Sequence, residues 1–416
     1  MQRQQDSPVA TPAGNSVLED KIVFLEELCV TALRCGTSCL RLEFYLSRVA
    51  GALGLQGDFL LTLRRSIVLV GAEGAERQVR VVRTGDASFD MERLGSSEEV
   101  ARRVERGQIT AAEGTAALAE LAKKPPRYGT GWTALSWAST ASAFAVLLSA
   151  TWLDAAVAGL LSVVAFVVIS WASRWRVLRE VTSLVAAIVV ALLASVFAVF
   201  SDGSNALVTM LSGMVVLLPG FGLTIGLGEF LGGLVGSGSQ RIVSALVISA
   251  ELFIGAVIGS QLAAAIVGDT ATTTASGSPG VWKWAAVVVT VIGFVVILRV
   301  PLRYAGWTIV GGLVVWLGVT IGAEMGFWQG SFLGALLLGL YSSGFAKHTA
   351  QPASTVTLSC VMILVPGAAV LMGLHTTATA GAAAGLTSEW HAFLNALAIV
   401  VGFVVANALV PQEGEL

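Results

Sequence analysis

The sequence predicts an α-helical polytopic membrane protein. About ten transmembrane helices, arranged as two inverted five-helix repeats, follow a small α+β cytoplasmic domain. Three observations carry this expectation. Charge is concentrated in the first third of the chain, the rest is a series of membrane-length apolar runs, and one motif recurs in both halves.

Of 416 residues, 55% are hydrophobic and 12% charged, against about 25% charged in ordinary globular chains. Residues 1–131 hold 17 of the 25 Lys/Arg and 17 of the 27 Asp/Glu. The remainder is too apolar for a soluble domain. A net charge of −2 gives no basic field, which argues against a nucleic-acid partner. Residues 1–17 read as a disordered polar tail, with no basic stretch leading into an apolar run and hence no secretory signal peptide.

Residues 18–127 read as the cytoplasmic domain. Ile22, Leu25, Leu28 and Leu33 are spaced for a helix over Val17–Arg34. Gly36 interrupts it, and Thr37 or Ser38 can cap a second helix through Leu53. Phe59–Val70 and Gln78–Thr84 flank a Gly-Ala-Glu-Gly turn composition and predict a β-hairpin. Ser96-x-x-Glu99 and Thr110-x-x-Glu113 predict two capping boxes, opening helices over Ser96–Arg106 and Thr110–Lys123. Pro125-Pro126 ends the domain. Cys35 and Cys39 stand one helical turn apart. They are compatible with a metal pair, but without a CxxC motif or a nearby His they read as reduced thiols, and no metal or cofactor is expected.

A hydrocarbon core about 30 Å thick takes roughly 20 helical residues per crossing. Five crossings are expected in repeat 1 (132–267), near 133–151, 154–172, 181–200, 206–228 and 242–267. Five more are expected in repeat 2 (281–410), near 282–298, 304–322, 327–345, 354–374 and 391–410. Residues 268–280 form an external linker and 411–416 a cytoplasmic tail. Loops placed inside carry Arg174, Arg176, Arg179, Arg241, Arg299, Arg303 and Lys347, whereas loops placed outside carry Lys283. That bias puts both termini in the cytoplasm of a multi-pass cell-membrane protein.

Shifting the chain by 147 residues matches Leu211-Ser212 with Leu358-Ser359, and Pro219-Gly220 with Pro366-Gly367. Seven of 17 positions are identical. Five helices per copy is an odd number, so the second copy enters from the opposite side, a recurring plan in secondary transporters. Proline removes a backbone donor and glycine loosens the joint, so both matching helices are expected to break and line a polar cavity.

The chain resembles the threonine/serine exporter family from about Leu25 to Val410. Its Gly36-Thr37-Ser38-Cys39-Leu40-Arg41-Leu42-Glu43 resembles that family's N-terminal signature. Leu94–Gly107, Ile109–Glu113 and Pro125-Pro126-Arg127-Tyr128 resemble further family stretches, as do Leu218-Pro219-Gly220 and Val365-Pro366-Gly367. The resemblance implies a proton-driven exporter of threonine and serine, with some relatives carrying the two halves as separate chains. It also implies an acid early in the fifth helix, where this chain has Ser244 and places Glu251 seven residues later, on about the same helix face.

Glu251 is the carboxylate set deepest in a predicted span, and such groups are functional candidates. With Glu229 it is the candidate for proton coupling; the competing roles are helix packing for Glu251 and an ordinary cytoplasmic-end charge for Glu229. Arg241 reads as a positive-inside anchor, with pairing to Glu229 as the sharper alternative. Ser212, Pro219, Gly220, Ser359, Pro366 and Gly367 are the candidate substrate-binding residues. Gly36, Ser38, Arg41 and Glu43 form the motif of the cytoplasmic domain. Asp154, Asp202, Glu324 and Glu389 read as solvated residues at outer helix ends, with gating of the outer mouth an alternative for Asp154. His348, His375 and His391 lack metal-site spacing. The expected partners are a small polar amino acid, protons and the bilayer, and a homo-oligomer is compatible with the pattern. Neither a nucleotide-binding motif nor an evident nucleophile set points to ATP coupling or an enzyme. The alternative is a membrane sensor whose cytoplasmic domain binds a ligand or partner.

Overall fold

The computed structural model describes residues 13–410 except 73, 75, 86–88, 176, 202–203, 269–279, 327, 350, 365–370 and 373–381. The chain divides into two compact units, Met1–Pro125 and Pro126–Leu416.

The first unit runs α1 (Ala13–Arg34), α2 (Cys39–Ala52), β1 (Leu55–Leu60), β2 (Arg65–Ala72), β3 (Gln78–Arg83), α3 (Met91–Glu105) and α4 (Ala111–Lys123). Phe24, Leu25 and Leu28 of α1 are fully buried, with Leu46 of α2 and Val68 and Val70 of β2. Gly36 and Gly54 take φ of 85° and 73° at the ends of α1 and α2, a left-handed conformation that costs glycine little. Two expectations are corrected. The strand expected over Phe59–Val70 is two strands of a three-stranded antiparallel sheet in the order β1-β2-β3. The Thr62 hydroxyl donates to the Arg65 carbonyl, and the Ser66 hydroxyl donates to the Thr62 carbonyl at 3.2 Å. This local bonding makes the turn that apolar content concealed. The third helix opens five residues before Ser96, with Asp90 accepting from the Arg93 N–H at 2.9 Å. Ser96 instead bonds back to the Glu92 carbonyl at 2.8 Å inside that helix. The Thr110–Glu113 capping box forms as expected.

The second unit comprises α5 (Thr130–Leu147), α6 (Trp152–Ala172), α7 (Thr182–Phe200), α8 (Ala206–Gly213), α9 (Gly220–Leu231) and α10 (Val235–Val267), then α11 (Val281–Ile297), α12 (Leu302–Ala323), α13 (Gln329–Thr349), α14 (Ser354–Val361) and α15 (Ala382–Leu409). Among the described residues, five helical segments are long and apolar enough to cross a membrane. They are Trp152–Ala172, Leu178–Phe200, Val235–Val267, Leu302–Ala323 and Trp390–Leu409. The bent pair α8–α9 raises the number to six, and α11 is a shorter apolar helix of 17 residues. Helices α5 and α13 carry more Ser, Thr and Gly and do not reach the same apolarity. The protein is a multi-pass membrane protein.

Packing follows one order in each half. Within 130–267, α6 packs on α5, α7 and α8, and α7 packs on α10. Within 281–409, α12 packs on α11, α13 and α14, and α13 packs on α15. Two details recur at residue level. A Cβ added at Gly255 would stand 2.7 Å from the Leu184 carbonyl, 2.7 Å from Ala187 Cβ and 3.2 Å from the Ile188 nitrogen. A Cβ at Gly402 would meet the Phe332 carbonyl at 2.7 Å, Ala335 Cβ at 2.9 Å and the Leu336 nitrogen at 3.0 Å. Both α5 and α11 close on a non-glycine left-handed residue, Ser149 (φ 63°) and Arg299 (φ 54°). The next amide reaches back five residues in each, Ala150 to Ala145 at 2.9 Å and Val300 to Val295 at 2.8 Å. These are the bonds of a Schellman closure. Helices α5 and α11 also pack on each other. A Cβ at Gly293 there would run into the Thr140 hydroxyl.

Candidate functional site

The break expected in the fourth apolar run is present: α8 and the segment Val215–Leu231 meet at 53°. Pro219 has no N–H to continue a helical ladder. The Gly220 N–H reaches the Leu218 carbonyl at 2.8 Å, and α9 starts with the Leu223 N–H bonded to the Pro219 carbonyl at 3.1 Å. The polypeptide at the break packs against α5. Gly220 is buried, and so is Ser212, the last residue but one of α8. The Ser212 Oγ has no hydrogen-bond partner among the described residues. Ser359 on α14 is likewise fully buried with an unpartnered Oγ. Pro366 and Gly367 lie outside the described residues, as do Asp202, His375, Arg176 and most of the 268–280 linker.

Beyond the break, Glu229 at the end of α9 and Arg241 on α10 form a buried ion pair. Arg241 Nε stands 3.1 Å and 3.2 Å from the two Glu229 oxygens. Glu229 is 1% exposed and Arg241 6%. Glycines make this approach possible: a Cβ at Gly226 would stand 2.8 Å from Arg241 Cβ, and one at Gly238 2.6 Å from the Phe230 nitrogen. Arg241 therefore has a buried carboxylate partner, as in the sharper of the two readings. Glu251 lies ten residues further along α10, roughly 15 Å along the axis. It is half-buried and has no hydrogen-bond partner among the described residues.

Asp154 overturns its expected role as a solvated helix-end residue. It is 0% exposed. Its Oδ1 accepts from the Ser204 hydroxyl and, at 3.1 Å, from the Thr209 hydroxyl. Its Oδ2 accepts from the Thr151 hydroxyl at 2.8 Å and the Thr151 N–H at 3.4 Å. The Thr151-x-x-Asp154 spacing is a capping pattern visible in sequence. Burial beneath the start of α8 is a tertiary fact that the spacing does not encode. Glu324 is exposed. His348 stacks on Trp307 at a centroid distance of 6.4 Å, and His391 is exposed.

In the first unit, a Cβ at Gly36 would run into the Phe89 ring. Ser38 stands at the N-cap of α2 without a side-chain cap bond. Arg41 bonds Glu98 at 3.2 Å, and the Tyr45 hydroxyl donates to the Glu98 carbonyl at 2.8 Å. The motif's cation therefore ties α2 to α3. Glu43 is half-buried, and its carboxyl is raised above the usual carboxylate range by burial and then by the Asp58 charge. Cys29, Cys35 and Cys39 are buried free thiols, and burial pushes Cys29 up to about 12.

Two family models match the chain. One, described as a putative threonine/serine exporter, covers residues 24–263. The other, described as a threonine/serine exporter, covers residues 283–409. No curated protein and no solved structure matches the chain.

Proposed function

Because the chain belongs to the threonine/serine exporter family, we propose that it exports threonine and serine by alternating access, coupled to inward proton movement. The observation that carries this reading is the broken helix α8–α9, whose buried, unpartnered Ser212 has a counterpart in Ser359. We take ten crossings in two inverted repeats as the architecture, with both termini cytoplasmic. The matched glycine contacts at Gly255 and Gly402 and the matched closures at Ser149 and Arg299 support the repeat in it. Ser212, Pro219 and Gly220 from one half and Ser359, Pro366 and Gly367 from the other line the substrate site. Irregular backbone at mid-depth is stable where it borders a polar cavity, and free amides at a half-helix start favour a carboxylate.

Between the two candidate carboxylates, Glu251 carries the proton. Protonating Glu229 would take its charge partner from the buried Arg241, at a cost of several kcal/mol. Glu251 has no such partner to abandon among the described residues. Its charge state follows the hydration of its surroundings, and hence which side of the membrane is open.

Counterflow of labelled threonine in proteoliposomes tests the export reading. The wild-type protein is expected to exchange internal for external threonine. Glu251→Gln is expected to retain exchange at equal pH and to lose accumulation under an imposed pH gradient. Accumulation by that variant as strong as wild type would remove Glu251 from the coupling role.

A further inference from the structure

A fully buried carboxylate is costly unless a cation or several donors compensate it. Asp154 has no ion-pair partner among the described residues; its donors are three hydroxyls and one backbone amide. Two of those hydroxyls flank the start of α8, the first half of the broken helix: Thr209 lies in its first turn and Ser204 just ahead of its N-cap Asn205. Nearby on the same helices stand two further buried hydroxyls, Ser162 on α6 and Ser212 on α8, both without partners among the described residues.

The packing places them. A Cβ at Gly213 would stand 3.1 Å from Leu161 Cβ and 3.7 Å from the Ala158 carbonyl. Ser212 and Ser162, the chain neighbours of Gly213 and Leu161, therefore flank one contact between α6 and α8. Helices α5, α6 and α8 pack on one another pairwise, so both hydroxyls sit in a three-helix junction. Ser212 follows Thr209 by three residues, roughly 5 Å along the axis. In a β-hydroxy amino acid the ammonium and hydroxyl groups stand on adjacent carbons. A carboxylate with a hydroxyl about one helical turn deeper, as Ser212 is, can hold both ends of such a molecule; Ser162, eight residues and roughly 12 Å along α6 from Asp154, lies beyond its reach.

We propose that Asp154 binds the substrate's α-ammonium group, with the Ser212 hydroxyl bonding the β-hydroxyl of the same molecule. The proposal rests on the export reading above and names the anionic half of its site. It also links binding to movement. The arriving ammonium replaces the Ser204 and Thr209 donors on Oδ1, which releases the start of α8 from α6. A ligand that binds better once α8 is released shifts the protein toward that state.

The test compares wild type and Asp154→Asn in proteoliposomes, reading the threonine concentration for half-maximal counterflow and inhibition by N-acetylthreonine. Loss of the charge is expected to raise half-saturation about 30-fold or more and to erase the preference for threonine over the N-acetyl compound. A purely structural Asp154 would lower the rate while leaving both quantities at wild-type values, and that result overturns the assignment. If the variant does not reach the membrane, Ser212→Ala decides. Its preference for threonine over 2-aminobutyrate, which lacks only the hydroxyl, should fall about fivefold; an unchanged preference overturns the proposal. Absence of threonine counterflow in the wild type would overturn the export reading itself, and this assignment with it.

Discussion

Glu229 and Arg241 are twelve residues apart and meet because the chain reverses at Gly232-Gly233, where Gly233 takes φ of 89°. Removing one member takes the paired charge from the other, which stays buried, at about 3–5 kcal/mol. Arg241→Ala is therefore expected to unfold at a markedly lower temperature in detergent. The double variant Glu229→Gln with Arg241→Gln is expected to recover much of that loss, because it leaves no buried charge. A double variant as unstable as the single one would refute this account of the pair. At this scale the sequence was partly legible. It flagged Glu229 and Arg241, and their spacing allowed pairing without deciding it. It misplaced Asp154, because hydropathy ranks a residue's depth along its own helix and is blind to what another helix lays over it. Ser96 misled for a related reason: a serine followed three residues later by a glutamate fits a cap and a helix interior equally well, and the earlier Asp90 captured the cap.

Helices were read best where length did the work, since a run of about 20 apolar residues has few other destinations. Strands were read less well, because β1 and β2 form one apolar stretch divided by a turn at Leu61–Arg64 held through Thr62 and Ser66 hydroxyls. The helix break was legible from Pro219, although the 53° bend was not. Gly255 and Gly402 lie against the backbones of α7 and α13 through equivalent atoms. Leucine at either site would force those helices apart. Gly255→Leu and Gly402→Leu are expected to reduce folded membrane protein to a similar degree, on the order of 2–4 kcal/mol each. Gly344→Leu, at a position with open space around it, is the control. A large loss at one site and none at the other would argue against equivalent roles, and fluorescence-detected size exclusion of detergent extracts reads the difference.

For the whole molecule, the segregation of charge near residue 131 lies close to the division into two compact units at Pro125–Pro126. The separation of the two family matches, 24–263 and 283–409, falls at the segment joining the halves of the membrane unit. The halves are held by more than that segment: α5 packs on α11 and α9 on α15. A protease site placed between Gly268 and Gly280 is therefore expected to be cut without separating the products, which should migrate as one species in mild detergent. Their separation would show that the covalent link is required. The pairing of α5 with α11 also sets a timetable for biosynthesis. Gly293 follows Thr140 by 153 residues, so a ribosome adding about 5–20 residues per second delivers it roughly 8–30 s later. Throughout that interval the face of α5 carrying Thr140 has no protein partner from the second half. A nascent chain stalled before α11 therefore presents a polar, small-residue stripe to lipid, a feature by which insertion machinery can distinguish an unfinished exporter from a finished one.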